Sequence, residues 1–272
     1  MRTFLLFMCL LCPLASLAGE ETLRVEGLAV DRVVVHGSVD AEISQGDPVL
    51  MLVRGDKQSL EQQPFFVQGT TLILGRSEGG NLGDQDFSKL KFKLTLPGLH
   101  SLRMTGSGKV YVRPLQVNEL SIALEGSGDM KFFAVKGKTV KVAATGSGNI
   151  QLAELAVQSL TIVQAGSGNI ELGKLDVKSL SASLSGSGDI GVENPASTTE
   201  LTMNIVGSGE IDFEEIDATT VEVNVVGSGT ASVGVSSTLV ANIMGSGEIY
   251  YRGDPDIEKT VLGSGELHRQ TR

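Results

Sequence analysis

Between residues 106 and 267 the apolar positions fall into columns rather than into a helical stripe. In the segment GSGNIQLAELAVQSLTIVQA, Ile150 and Leu152 alternate with Asn149 and Gln151, and Leu160 and Ile162 alternate with Ser159 and Thr161. Successive side chains of a strand point to opposite faces, so this period of two predicts strand, not helix. The same positions stay apolar about 20 residues later. One column reads Val110, Met130, Ile150, Ile170, Ile190, Ile211, Ala231, Ile249 and Leu267. Two residues on, a second reads Val112, Phe132, Leu152, Leu172, Val192, Phe213, Val233 and Tyr251. A third reads Leu120, Val140, Leu160, Leu180, Leu201 and Val221.

One tripeptide punctuates every cycle. Gly106-Ser107-Gly108 recurs as Gly126-Ser127-Gly128, Gly146-Ser147-Gly148, Gly166-Ser167-Gly168, Gly186-Ser187-Gly188 and Gly207-Ser208-Gly209. It returns again at Gly227, Gly245 and Gly263, and the nine copies are spaced by 18 to 21 residues. A unit this short cannot bury its apolar side chains alone, but stacked units can. The predicted fold is therefore all-β: a single-stranded parallel β-helix of about 20 residues per turn with Gly-Ser-Gly corners. Right-handed coiling is the default for parallel crossovers, and the sequence itself does not show handedness. Eight intervals at about 4.8 Å give a rod of roughly 40 Å.

The tripeptide is read as a structural corner, where glycine permits positive φ and close backbone approach. The serine between would stack on the serines above and below and exchange hydroxyl hydrogen bonds with them. A stacked nest of backbone amides that holds an anion is the functional alternative. The residue after the tripeptide runs Lys109, Asp129, Asn149, Asn169, Asp189, Glu210, Thr230, Glu248 and Glu266. Neutral residues dilute the acids, which suits a solvated edge ladder. A calcium ladder on Asp129, Asp189 and Glu210 is the sharper alternative, although the nonapeptide pattern of calcium-binding rolls is absent.

The start of the chain changes the setting. Arg2, the apolar run Phe4 to Leu14 and the Ser16-Leu17-Ala18 cleavage pattern read as a secretory signal over residues 1–18. The run is too short to span a membrane. Cys9 and Cys12 raise lipidation as a competitor, but Phe7-Met8 and Leu10-Leu11 lack the small residues that such processing prefers. Cleavage after Ala18 would leave no cysteine, hence no disulfide or thiol chemistry. Residues 19–105 lack the tripeptide yet still read as strands: Leu23-Arg24-Val25, Arg32 to Val35, Ala41 to Ile43, Val49 to Val53, Thr71 to Leu74 and Lys91 to Leu96. They are read as an N-terminal cap and first coils, with a polar loop from Arg76 to Lys89. Residues 106–267 form the repeat region, 268–272 a polar tail, and 19–267 one continuous domain.

Charge narrows the partners. The formal net charge is −10, and loss of Arg2 with the signal makes it −11. An acidic chain without a basic run disfavours nucleic acid and anionic lipid surfaces. No later segment is long and apolar enough to be transmembrane.

These features resemble the head GIN domain family of bacterial envelope proteins. The resemblance rests on Leu94-Thr95-Leu96-Pro97-Gly98-Leu99 running into Leu102-Arg103-Met104-Thr105-Gly106-Ser107-Gly108, and on the repeated Gly-Ser-Gly-Asp/Asn-Ile; it covers residues 22–267. It implies a β-helical adhesin head and supplies no catalytic residues. The chain departs from an autotransporter layout, because the repeats run almost to Arg272 and leave no room for a C-terminal barrel.

Catalysis finds little support. His36, His100 and His268 are scattered, and the acidic groups Asp212, Glu214, Glu215, Asp217 and Asp254, Asp256, Glu258 read as solvated corners. No catalytic residue, cofactor or firm metal site is assigned. Thr161, Ser181, Ser183, Thr202, Asn204 and Asn224 are expected to face outward on one sheet. The reading is a non-enzymatic exported protein that presents this surface to an unidentified glycan or envelope protein. A periplasmic scaffold or envelope-stress protein is the alternative, with self-association left open, and a polysaccharide-active enzyme comes third.

Overall fold

In the computed structural model, which describes residues 20–79 and 86–270, the columns become ladders. The signal segment lies outside the described residues, as does part of the Arg76–Lys89 loop. Ile150 pairs in register with Ile170, Ile170 with Ile190, Ile190 with Ile211, and Ile211 with Ala231, all parallel. Every member of this column from Val110 to Ile249 is buried. The chain is a β-solenoid whose core is the stack of these ladders. In the central turns one strand spans nearly the whole cycle, as in Asn149–Gly166 and Asn169–Gly186. Elsewhere the cycle divides into shorter strands, as in Asp129–Phe132, Val135–Lys136 and Thr139–Gly146.

The two glycines of each corner answer to different constraints. The first has positive φ in all nine copies, from 114° at Gly146 to 140° at Gly106. The second lies against the turn beneath: a Cβ on Gly168 would sit 2.0 Å from the Gly148 carbonyl oxygen. Side chains at either position are excluded, the first by backbone strain and the second by contact. The serine amide donates to the first glycine carbonyl of the preceding turn, Ser147 to Gly126 at 3.0 Å and Ser167 to Gly146 at 2.9 Å. Gly148 donates to the same Gly126 carbonyl at 3.0 Å. These corner amides point along the axis and are already occupied, so they do not form an open anion nest. The serine side chains are exposed. Hydroxyl pairs join Ser38 to Ser107 and Ser246 to Ser264, at the first and last of these corners. Between them the corners are joined by backbone hydrogen bonds, so the backbone carries the ladder that was expected of the hydroxyls.

A tenth corner lies at Gly37-Ser38-Val39. Gly37 has φ of 74°, pairs with Gly106 and accepts the Ser107 amide at 3.0 Å. Val39 replaces the second glycine, which hides the motif from a search for the tripeptide. The strands Arg32–Gly37 and Asp40–Gln45 are not at the end of the stack. They lie between Thr71–Leu74 and Lys91–Leu96 on one side and Ser101–Gly106 and Lys109–Val112 on the other. The chain builds one coil, moves outward to build the end, and then returns to stack on the opposite side of its first coil. Antiparallel strands close that end: Leu50–Asp56 pairs with Lys91–Leu96, Glu20–Glu26 with Leu50–Asp56, and Phe65–Gln68 with Thr71–Leu74. A short helix, Lys57–Glu61, is capped by Asp56, which accepts the Ser59 amide at 2.9 Å, and it buries Leu60. It is too short for its period to show in the sequence.

The other end is built differently. Asp256–Gly263 pairs with Thr230–Gly245, and Glu266–Arg269 with Glu248–Arg252; neither has a neighbour on its far side among the described residues. His268 and Arg269, read from sequence as tail, belong to this last strand. One inward column runs Ile122, Val142, Ile162, Ala182, Met203, Val223 and Ala241, all buried, and its last rung is Lys259, which is exposed. A charge at an inward position disfavours the addition of another strand to an open edge.

Two outcomes follow. Ile170→Asp would place an unpaired carboxylate in the central ladder and is expected to cost more than about 4 kcal/mol; thermal unfolding by circular dichroism checks this, and an unchanged melt would mean that the column faces solvent. Lys259→Val should make the rods associate end to end, seen as a concentration-dependent increase in mass by sedimentation.

Candidate functional site

The outward positions of the strand that leads into each corner form an ordered surface. Thr161, Ser181 and Thr202 share one column, and Ser183, Asn204, Asn224 and Asn242 share the next. The six residues expected on one sheet are thus brought together, each partly exposed. The asparagines form a hydrogen-bonded ladder: Asn224 Nδ2 donates to Asn204 Oδ1 at 3.0 Å, and Asn242 Nδ2 to Asn224 Oδ1 at 2.9 Å. Asn224 Nδ2 also donates to Glu222 Oε1 at 3.0 Å, so its two N–H groups are engaged, and its carbonyl oxygen keeps one lone pair for an outside partner.

Beside this ladder runs a column that the sequence reading missed. Val206, Val226, Met244 and Leu262 are in register and are 54%, 43%, 55% and 61% exposed. Each immediately precedes a Gly-Ser-Gly, and that position was the available signal. Val163, half exposed, stands in the asparagine column and is separated from Val206 by Ser183 and Ser185 of the intervening turn. The two columns nearest the corner, from Val163 and Ala165 to Thr260 and Leu262, carry no charge over six turns. Contiguous exposed apolar surface in a charged chain commonly marks a contact site.

The acidic column behaves otherwise. Asp129 accepts the Asn149 amide group at 3.1 Å, and Asn149 in turn accepts the Asn169 backbone amide at 3.1 Å. Asp189 and Glu210 are direct neighbours, but two asparagine rungs separate Asp129 from Asp189. The three calcium candidates do not converge, and no group of three or more metal-ligating side chains occurs among the described residues. Burial, with Asp212 and Asp189 nearby, holds the Glu210 carboxyl above its ordinary pKa.

The carboxylate groups weighed for catalysis are also dispersed. Asp217 pairs with Arg252 at 2.8 Å, Asp212 accepts the Glu214 backbone amide at 3.1 Å, and Asp254 pairs with Arg269 at 3.1 Å. The histidines have separate local partners: His36 with Thr105 at 2.6 Å, His100 with Asp31 at 3.4 Å, and His268 with Glu266 at 3.6 Å. No helix of the described residues is long and apolar enough to cross a membrane.

Comparison with known proteins agrees with this architecture. The family model described as "Putative auto-transporter adhesin, head GIN domain" matches residues 29–197 and 153–255. A crystal structure of a putative lipid binding protein from Parabacteroides distasonis is 29% identical, with a TM-score of 0.68 over 93% of this chain and 98% of that one. A putative adhesin from Parabacteroides merdae is 21% identical, with a TM-score of 0.71 over 93% of this chain and 97% of that one. A putative adhesin from Parabacteroides distasonis is 22% identical, with a TM-score of 0.72 over 92% and 97%. At those lower identities the likeness concerns the fold. No match is found among curated proteins.

The acidic column yields a pH test. With its folded pKa raised, Glu210 binds more protons in the folded chain than in the unfolded one across the carboxylate range, so its contribution to stability falls as pH rises through that range. A carboxyl-carbon NMR titration should give Glu210 a midpoint above ordinary glutamate, and Glu210→Gln should remove that part of the pH dependence. A midpoint at or below the ordinary value would contradict the crowding of the column.

Proposed function

The chain belongs to the head GIN domain family, and on that premise we propose that it is an exported, non-enzymatic, adhesin-like binding protein that offers the two charge-free columns beside its corners to a glycan or protein partner. The observation that carries this reading is the pair of charge-free columns, asparagine beside apolar, on a chain of net charge −10. The amides of this surface are already ordered by the ladder. The apolar column supplies area and the asparagines supply direction, the combination common at interface cores. Dispersed carboxylates and separately engaged histidines give a hydrolase no obvious acid–base pair.

The second reading is a periplasmic scaffold or envelope-stress protein. It is favoured by the apolar column, which continues to Leu262 on the unpaired last coil and could be covered by another envelope component.

The double substitution Val226→Glu, Met244→Glu separates these readings. Both side chains are exposed, so the melting temperature should hold, while binding to a glycan array or purified envelope protein should weaken by about tenfold or more. Self-association that rises with concentration, without binding to glycan or protein, would favour the scaffold. Polysaccharide hydrolysis abolished by Asp212→Asn or Glu215→Gln would overturn both.

A further inference from the structure

A second surface lies on a different side of the rod, toward its antiparallel end. It is formed by outward residues of Lys91–Leu96, Asp40–Gln45, Lys109–Val112 and Asp129–Phe132, which stack in that order. Tyr111 stands at its centre and is 40% exposed. It divides two open hollows. One, of about 480 Å³, extends past Lys91 and Lys93 to Arg54; the other, of about 310 Å³, extends past Lys109 and Lys131 to Asn149 and Gln151.

Charges of both signs line the groove. Each acid has a partner: Asp40 accepts the Lys109 backbone amide at 3.1 Å, and Glu42 binds Arg113 at 2.7 Å. Asp129 accepts from Asn149 at 3.1 Å, and Glu171 from Gln151 at 3.3 Å. The Arg113 hydrogen bond holds the Glu42 carboxyl below its ordinary pKa, so it stays ionised and engaged. Lys91, Lys93, Lys109 and Lys131 form no ion pair among the described residues; Asp40, Asp129 and Glu171 keep their charge too, with Asp40 beside Lys91, Glu42 beside Lys93 and Asp129 beside Lys109 on adjacent strands. Lys131 and Arg113 lie 5.6 Å and 4.9 Å from the Phe133 ring centroid, which steadies that edge of the groove.

We infer that this groove is a binding site for a short carboxylate-bearing oligosaccharide. The four ammonium groups meet carboxylates, the Tyr111 ring packs against a sugar face, and the amides of Asn149 and Gln151 meet hydroxyls. The lysine-bearing strands span three strand spacings, roughly 14 Å. Along the same side the next outward groups are Glu171, Asp189, Glu210 and Asp212. They would repel a long polyanion laid along the axis, so the ligand is short or crosses the rod. The site shares no residue with the charge-free columns and stands independently of the function proposed for them.

Titration calorimetry of the full chain with oligogalacturonate tests the inference, with a neutral malto-oligosaccharide and an oligoglutamate of matched length as comparisons. Oligogalacturonate should saturate one site and weaken as salt rises, with both comparison ligands at least about tenfold weaker. Tyr111→Ala should weaken binding by about tenfold, and Lys93→Gln with Lys131→Gln by a similar factor. Val226→Glu with Met244→Glu should leave it unchanged. Absence of saturation, equal binding of oligoglutamate, or full binding by both groove variants would each overturn the assignment.

Discussion

The close approach of successive backbones at the corner is the constraint on which the rest of the structure depends. At Gly168 the turn beneath leaves no room for a Cβ, and at Gly166 a φ of 134° disfavours any side chain. Where both conditions hold, the serine amide reaches the carbonyl below and each turn is fixed in register on the last. Register then decides the remainder. A strand shifted by one residue exchanges its inward and outward sets, so a corner repeated in register keeps each inward column inside and each outward column outside, the exposed apolar column at Val206 to Leu262 included. The charge-free columns and the Tyr111 groove are both consequences of that stacking, since their residues are distant in sequence and adjacent only across rungs.

A stack has two ends, and the two are protected by different means. At the start, antiparallel strands and the short helix cover the last parallel coil and bury Leu60, Phe92 and Leu94. At the finish, the inward column ends on Lys259. The first device covers apolar surface; the second makes an open edge unattractive to another strand. Placing the first coil between two later ones also ties the cap to the repeats, because Arg32–Gly37 pairs with strands on both sides.

The central coils were legible because their signal is repeated. A period of two within a turn and of about 20 between turns specifies strand, stacking and inward face together. The N-terminal coil was less legible because Val39 replaces the second glycine of its corner, and the return of the chain past its first coil leaves no local mark. Of the outer surface, Thr161, Ser181, Ser183, Thr202, Asn204 and Asn224 could be placed by alternation alone. The apolar column Val206, Val226, Met244 and Leu262 was passed over because single exposed apolar residues are ordinary in sequence, and only the stack makes them neighbours. The Tyr111 groove joins residues from Asp40 to Gln151 across coils of unequal length, beyond the reach of a periodic reading.

Amide hydrogen exchange at the corners tests the central claim most directly. The serine side chains of these corners are exposed, and in an ordinary surface loop their amides would exchange quickly. The account predicts slow exchange at Ser147, Gly148, Ser167 and Ser187, because each donates to the backbone of the turn beneath. Exchange at those amides as fast as in an unstructured peptide would contradict it, since the corners would then not hold the turns in register.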